Sequence, residues 1–308
     1  MTDSFLDPRL TERRNPRTTR IDQASPRQIV ELIAAEDAGI PAAIAPVYDD
    51  IARGVELLEH AFRAGGRLFY VGAGTSGRLG VLDAAECSPT FGTEPELVTG
   101  ILAGGYKALI RSVEGAEDDD NAGIQEMDAH RVRGHDVVCG IAASGTTPFV
   151  RAALGRAQTL GARTMLVSCS EPPAILRDSC EVCITIRVGP EVVTGSTRMK
   201  AGTATKQVLN MLTTGAMIRL GKTYGNLMVD LRAWNAKLGE RSERILMEVT
   251  GVDRPAARAA LDLADRQVKL AIVMLRRGVD RADAERLLRD HGGHLRAIIG
   301  DPPEVTPA

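Results

Sequence analysis

Twice along this chain an apolar run ends in a loop of glycine and hydroxyl side chains, with a helix-forming stretch behind it. Arg67-Leu68-Phe69-Tyr70-Val71 runs straight into Gly72-Ala73-Gly74-Thr75-Ser76-Gly77. Asp136-Val137-Val138-Cys139-Gly140-Ile141 runs into Ala142-Ala143-Ser144-Gly145-Thr146-Thr147-Pro148. Short apolar runs bounded by turn residues predict strands buried on both faces, the kind that make parallel sheets. Further strands are expected at 163–167 and 182–188, with a weaker one at 97–99, and helices between most of them, notably 149–160. Strand, loop and helix in alternation predict an α/β fold, a five-stranded parallel sheet flanked by helices.

The ends of the chain differ from this middle. Residues 1–25 are polar and basic, with Arg9, Arg13, Arg14, Arg17 and Arg20, and read as an arm. Ser25 followed by Pro26 opens a helix, and a second helix is expected over 41–64, stopped by Gly65-Gly66. From Arg198 onward the pattern is helical, with a long apolar stretch over 198–219. Beyond Gly251, short helices at 254–264, 266–277 and 281–290 predict a small C-terminal helical subdomain. The expected division is an N-terminal arm and helices (1–54), a sheet domain (55–225) and a helical region (226–308).

Charge and cysteine usage narrow the function classes. The 38 basic and 40 acidic residues nearly cancel, giving no overall field for nucleic acid or an anionic membrane. The first thirty residues hold no apolar core segment of a secretory signal, and no run of about 18 apolar residues predicts a span. The five cysteines are irregularly spaced, which suits reduced thiols in a cytoplasm. Cys180 and Cys183 form a C-x-x-C in or beside a strand rather than at a helix start, so redox or metal use is not expected. His291 and His294 flank two glycines and make no convincing metal pair.

The first loop matches G-x-G-x-x-G, which alone suggests a dinucleotide site. That reading needs an acidic residue at the end of the next strand, and Glu96-Leu97-Val98-Thr99-Gly100 ends without one. The favoured ligand is a sugar phosphate: Gly74 lets backbone amides approach an anion, and Thr75 and Ser76 add hydroxyl donors. Ser144, Gly145, Thr146 and Thr147 repeat this arrangement after a later strand. Two such loops at the carboxyl ends of parallel strands can close on one phosphate from two sides. The alternative is a pair of ordinary N-caps. A third segment, Thr194-Gly195-Ser196-Thr197-Arg198-Met199-Lys200, adds Ser196 and Lys200 as phosphate candidates. Its alternatives are helix capping by Ser196 and Thr197 and surface roles for Arg198 and Lys200.

Two carboxylates attract interest. On a helix starting near Gly77, Leu79, Leu82 and Glu86 share one face, and a carboxylate on an apolar stripe is costly unless paired or protonated. The alternative is a helix-end glutamate turned to solvent. Glu117, with Glu114, Asp118 and Asp119, otherwise reads as an acidic helix N-terminus.

Longer strings carry a resemblance. Tyr70-Val71-Gly72-Ala73-Gly74-Thr75-Ser76-Gly77-Arg78-Leu79-Gly80, Asp83-Ala84-Ala85-Glu86-Cys87 and Val113-Glu114-Gly115-Ala116-Glu117-Asp118 resemble the N-acetylmuramic acid 6-phosphate etherases, which share the sugar-isomerase (SIS) domain. Gly140-Ile141-Ala142-Ala143-Ser144-Gly145, Val192-Val193-Thr194-Gly195-Ser196-Thr197-Arg198-Met199-Lys200-Ala201-Gly202-Thr203, Gly225-Asn226-Leu227-Met228-Val229-Asp230 and His291-Gly292-Gly293 continue the match. It runs from about Leu10 to about Ile299. The resemblance implies a homodimeric cytoplasmic lyase without metal or cofactor, acting on N-acetylmuramate 6-phosphate in cell-wall sugar recycling, with Glu86 and Glu117 as its catalytic carboxyls. The chain departs from the family at Thr146, where many members have Arg, and at Ser88, where many have Pro. It departs also in the acidic run Asp118-Asp119-Asp120-Asn121. Rival readings on the same fold are an amino-sugar phosphate isomerase and a non-catalytic sensor like the glucokinase regulatory protein, which is longer and carries two such domains.

Overall fold

A computed structural model describes residues 9–231 and 236–304. They fall into two compact units. One holds the residues up to Ala85 with Glu96–Thr213, the other Glu86–Pro95 with the residues from Thr214 onward. The arm and first helices therefore belong to the same unit as the sheet.

In the first unit the arm forms tight 3-10 turns at Leu10–Glu12, Pro16–Thr18 and Ile21–Gln23. Helix α1 (Pro26–Asp37) opens on a capping box: the Ser25 hydroxyl accepts from the Gln28 amide, and the Gln28 side chain accepts from the Ser25 amide. The single helix expected over 41–64 is broken into α2 (Ile40–Ile44), a 3-10 turn (Ala45–Val47) and α3 (Tyr48–Arg63). Pro46 is the cause, because it has no N–H to donate and its ring crowds the preceding turn.

The sheet region then alternates as expected: β1 (Leu68–Gly72), α4 (Gly74–Phe91), β2 (Val98–Leu102), α5 (Gly105–Ile110), α6 (Asp120–Ala129), β3 (Val137–Ile141), α7 (Pro148–Thr159), β4 (Arg163–Ser168), α8 (Ala174–Ser179), β5 (Val182–Thr185) and α9 (Lys200–Arg219). The strands form one sheet of order β2-β1-β3-β4-β5, parallel at every pairing. All five expected strands are present. Strand β5 stops at Thr185, short of the expected 188, because its pairing partner on β4 ends at Ser168. Strands β1 and β3 are buried along their whole length. Phe69, Val71 and Val138 pack with Phe149, Val150 and Leu154 of α7, each such side chain contributing about 1.5–3 kcal/mol by leaving water.

At the amino end of the sheet, Asp136 ties β1 to β3. Its carboxylate, inaccessible to solvent, accepts from the Arg67 amide (2.9 Å), the Arg67 guanidinium (2.7 Å) and the Arg133 amide (3.0 Å). The Val137 amide donates to the Arg67 carbonyl beside it. These bonds fix the register at the point where both strands begin.

A second buried carboxylate, Asp83 on α4, accepts from the Tyr70 hydroxyl of β1 (3.1 Å) and from Asn210 (2.7 Å) and Thr213 (2.9 Å) of α9. Burial pushes its pKa up, and the three donors pull the other way. The folded value therefore lies above the unfolded one. The cost of burying the charge is absent at low pH and appears as pH rises past the unfolded value. Asp83→Ala removes the acceptor shared by Tyr70, Asn210 and Thr213 and is expected to lower unfolding stability by about 1–3 kcal/mol in a urea titration. Asp83→Asn keeps the shape and one acceptor, and is expected to cost much less.

The second unit contains a two-stranded ribbon, β6 (Thr223–Tyr224) and β7 (Leu227–Met228), and helices α10 (Ala236–Thr250), α11 (Arg254–Leu263), α12 (Val268–Arg277), α13 (Arg281–Asp290) and α14 (Leu295–Ile299). The three short helices expected near the C-terminus are α11, α12 and α13. Asp253 and Asp280 cap the first and last of them, and Gly278 ends α12 at φ 63°. Their apolar faces close on Leu246, Leu261, Leu270, Ile272 and Leu295. Among the described residues, no helix is long and apolar enough to cross a membrane.

Candidate active site

Strands β1 and β3 are neighbours, and Gly72 lies opposite Ile141 in their register. The two hydroxyl-rich loops therefore leave the sheet side by side and at the same level. They do so where the strand order reverses, since β2 lies on one side of β1 and β3 on the other. Crevices at such switch points, outside the carboxyl ends of the strands, are where open α/β sheets bind ligands.

The first loop depends on Gly77. A Cβ there would lie 2.4 Å from the Gly72 carbonyl oxygen and 2.4 Å from Leu102 Cδ1. The first turn of α4 thus rests directly on the end of β1. In the second loop Gly145 adopts φ +75°, and a Cβ would meet Pro172 Cα at 2.9 Å. Its amide donates to the Ala142 carbonyl, and the Thr146 amide donates to Ser144 Oγ at 3.3 Å. The Ser144 and Thr146 hydroxyls lie 3.2 Å apart. If Thr146 donates in that pair, the Ser144 proton is left for another acceptor.

Ordinary capping does not use these side chains up. Thr147 occupies the N-cap position of α7, with Pro148 following, yet its side chain makes no capping hydrogen bond. Thr75, Ser76, Thr147 and Ser196 have no side-chain hydrogen bond among the described residues. Gly74, Thr75, Ser76, Ser144, Thr146 and Thr147 are all at least partly accessible, while Gly145 is buried beneath the loop.

The third segment joins the first loop. A Cβ on Gly202 would sit 3.5 Å from Thr75 Cγ2, so the first turn of α9 lies against Thr75. The cap of that helix is not Ser196 or Thr197. The Glu191 carboxylate takes the Lys200 amide (3.1 Å) and the Ala201 amide (2.8 Å). The expectation that Lys200 faces the phosphate is also corrected. Its buried ammonium is held 2.6 Å from Glu36 Oε2 and 3.0 Å from the Pro190 carbonyl. Glu36 in turn accepts from Arg17 Nε at 2.6 Å. Arg17 above all, helped by Lys200 and Asn15, draws the Glu36 pKa down to about 2 against the effect of burial.

Glu117 lies exposed in a 3-10 turn (Ala116–Asp118) that packs against α7, the helix opened by the second loop. A Cβ on Gly104, just past the end of β2, would lie 3.3 Å from Ala116 Cβ, which places this turn at the carboxyl edge of the sheet. Glu86 lies on α4 and is exposed. The buried apolar stripe expected around it is absent within the chain: Leu82 is 48% exposed, and the buried carboxylate of that helix is Asp83, three residues earlier. The Cys180 and Cys183 sulfurs are unbridged, and burial pushes Cys180 up to about 11 and Cys183 upward as well, so both rest as protonated thiols.

Sequence reasoning missed Asp83, Glu191 and Glu36. Asp83 had a usable signal, since it falls four residues after Leu79 on α4. Glu191 and Glu36 had none, because their partners are set by tertiary contacts.

A parallel sheet of this order, with paired hydroxyl-rich loops at its switch point, defines a sugar-isomerase-domain protein. Residues 30–158 match the family model of the glucokinase regulatory protein N-terminal SIS domain. The fold is also similar to that of a Bacteroides fragilis protein assigned as a phosphosugar isomerase involved in capsule formation, at TM-score 0.51 and 20% identity, over 63% of this chain and 91% of that one. Across nearly its whole length the chain is 48% identical to the N-acetylmuramic acid 6-phosphate etherase of Vibrio vulnificus, covering 95% of this chain and 97% of the relative. It is 49% identical to that of Actinobacillus pleuropneumoniae, covering 96% of each. The chain belongs to the N-acetylmuramic acid 6-phosphate etherase family.

Proposed function

We propose that the chain cleaves the D-lactyl ether of N-acetylmuramate 6-phosphate, giving N-acetylglucosamine 6-phosphate and D-lactate. The observation that carries the phosphate site is the pair of loops leaving β1 and β3 side by side, with the Thr75, Ser76 and Thr147 hydroxyls unused among the described residues. Neither loop carries a Lys or Arg, so neutral amides and hydroxyls meet the dianion there. Such charge-assisted hydrogen bonds are shorter and stronger than neutral ones.

The chemistry follows from the substrate. A C3 ether does not hydrolyse readily, but the open-chain aldehyde acidifies the C2 proton. A base removes that proton, the electrons form the C2–C3 double bond, and the lactyl oxygen leaves with a proton from an acid. Water then adds at C3 and a proton returns to C2. Glu86 and Glu117 are the carboxyls assigned to these transfers, and Glu117 is supported by its place at the carboxyl edge of the sheet. Ser196 extends the phosphate site from the third segment.

The same reading makes the protein a cytoplasmic homodimer acting in cell-wall sugar recycling. The exposed apolar side chains Tyr106 and Ile110 supply surface suited to self-association. Mass by light scattering checks the dimer.

Ser144→Ala tests the site. Losing a hydrogen bond to a charged group costs about 1–3 kcal/mol, so KM for N-acetylmuramate 6-phosphate is expected to rise about five- to a hundredfold. An unchanged KM in a folded variant rejects the phosphate assignment. Release of lactate from this substrate separates the etherase from an isomerase or a sensor.

A further inference from the structure

The arm is stitched to the segment that carries Ser196. The Thr11 amide donates to Ser170 Oγ, just past β4 (3.3 Å). Asn15 Nδ2 donates to the Pro190 carbonyl (3.3 Å), and Thr18 Oγ1 to the Val192 carbonyl (2.9 Å). Arg17 reaches Glu36, whose other oxygen holds the Lys200 ammonium, and Lys200 returns to Pro190. Glu191, between those two carbonyls in sequence, grips the start of α9. Thr11, Asn15, Thr18, Glu36, Glu191 and Lys200 are all buried. Both ends of the 190–201 segment are thus fastened, while the Ser196 hydroxyl between them has no partner among the described residues.

We propose that Asn15, Arg17, Thr18 and Glu36 are positioning residues for substrate binding: they fix the 190–201 segment, which carries Ser196 and leads into the turn of α9 that lies against Thr75. Polar contacts this extensive and this buried order a segment before the ligand arrives. A pre-ordered segment spares the ligand the entropy of organising it. Loosening the arm should therefore weaken binding more than it slows the chemical step. Lys200 acts through the same network rather than on the phosphate itself. This inference rests on the sugar-phosphate reading of the loops.

The test is a KM-against-kcat comparison on N-acetylmuramate 6-phosphate for Thr18→Val, Arg17→Met and Arg17→Lys, with Ser144→Ala alongside and a melting temperature for each. Thr18→Val and Arg17→Met are expected to raise KM about five- to twentyfold, the loss of one ordered contact, with kcat within about twofold and a modest fall in melting temperature from the lost buried bond. Arg17→Lys keeps the cation and is expected to recover most of the affinity. If Ser144→Ala raises KM and the two arm variants leave it unchanged, the arm has no positioning role and the inference is overturned. It is overturned too if KM, kcat and melting temperature shift together, because that marks a general structural brace. If Ser144→Ala itself leaves KM unchanged, the loop reading fails and takes this inference with it.

Discussion

Glu86→Gln is expected to fold like the parent and lose about 10²–10⁴ of its kcat, the usual worth of a general acid–base group. The amide matches the carboxylate in size but can neither take nor hold the transferred proton. Since Glu86 is exposed on α4, with no hydrogen bond among the described residues, its replacement removes no buried contact within the chain. Circular dichroism and melting temperature should therefore stay near the parent values. Turnover of the parent in heavy water is expected to place deuterium at C2 of the N-acetylglucosamine 6-phosphate, because elimination must break that bond. Near-parent activity in the Gln variant removes Glu86 from the mechanism.

Gly77→Ala is expected to disturb both the scaffold and the first loop. A methyl group at this position overlaps the Gly72 carbonyl oxygen and Leu102 Cδ1, both at 2.4 Å. The side chain of Leu102 can turn away, but the Gly72 backbone belongs to a strand paired on both sides. Helix α4 must then lift off β1, carrying Thr75 and Ser76 with it. Overpacking of this kind costs about 1–3 kcal/mol or more. A urea midpoint lowered to match and a KM raised beyond that of Ser144→Ala are the expected results. A midpoint equal to the parent's shows that α4 is not seated on β1 as described.

Strands β1 and β3 were legible because they are short, continuous apolar runs that end in glycine- and hydroxyl-rich loops. Val137-Val138-Cys139-Gly140-Ile141 admits few other readings. The loops were legible for a related reason: Gly77 and Gly145 stand where a side chain has no room. Helix boundaries were less so. The stretch over 41–64 has a helical period throughout, and only the local effect of Pro46 divides it.

The polar interior was not legible. Lys200 in a hydroxyl-rich segment looks like a phosphate ligand, and its partner Glu36 is 164 residues away in sequence. The choice between Asp83 and Glu86 as the buried carboxylate of α4 depends on which face Tyr70 and Thr213 approach, and no helical period states that. Pairings of this kind arise from tertiary contact, where a buried charge settles on whichever donors the fold delivers.

The Asp136 tie at the amino end of the sheet bears on how far the loop sequences can drift. It sets the β1–β3 register about 17 Å from the loops, five residue steps along the strand. A slip of one residue there would displace one loop past the other by about 3.3 Å and turn every side chain of the strand over. Alignment is thus secured from the end opposite the loops as well as along the ladder. Among the described residues, Thr146 bonds only within its own loop, to Ser144, and takes no part in that alignment. The bonds that start the two strands in register are in this way separate from the side chains that face the ligand end.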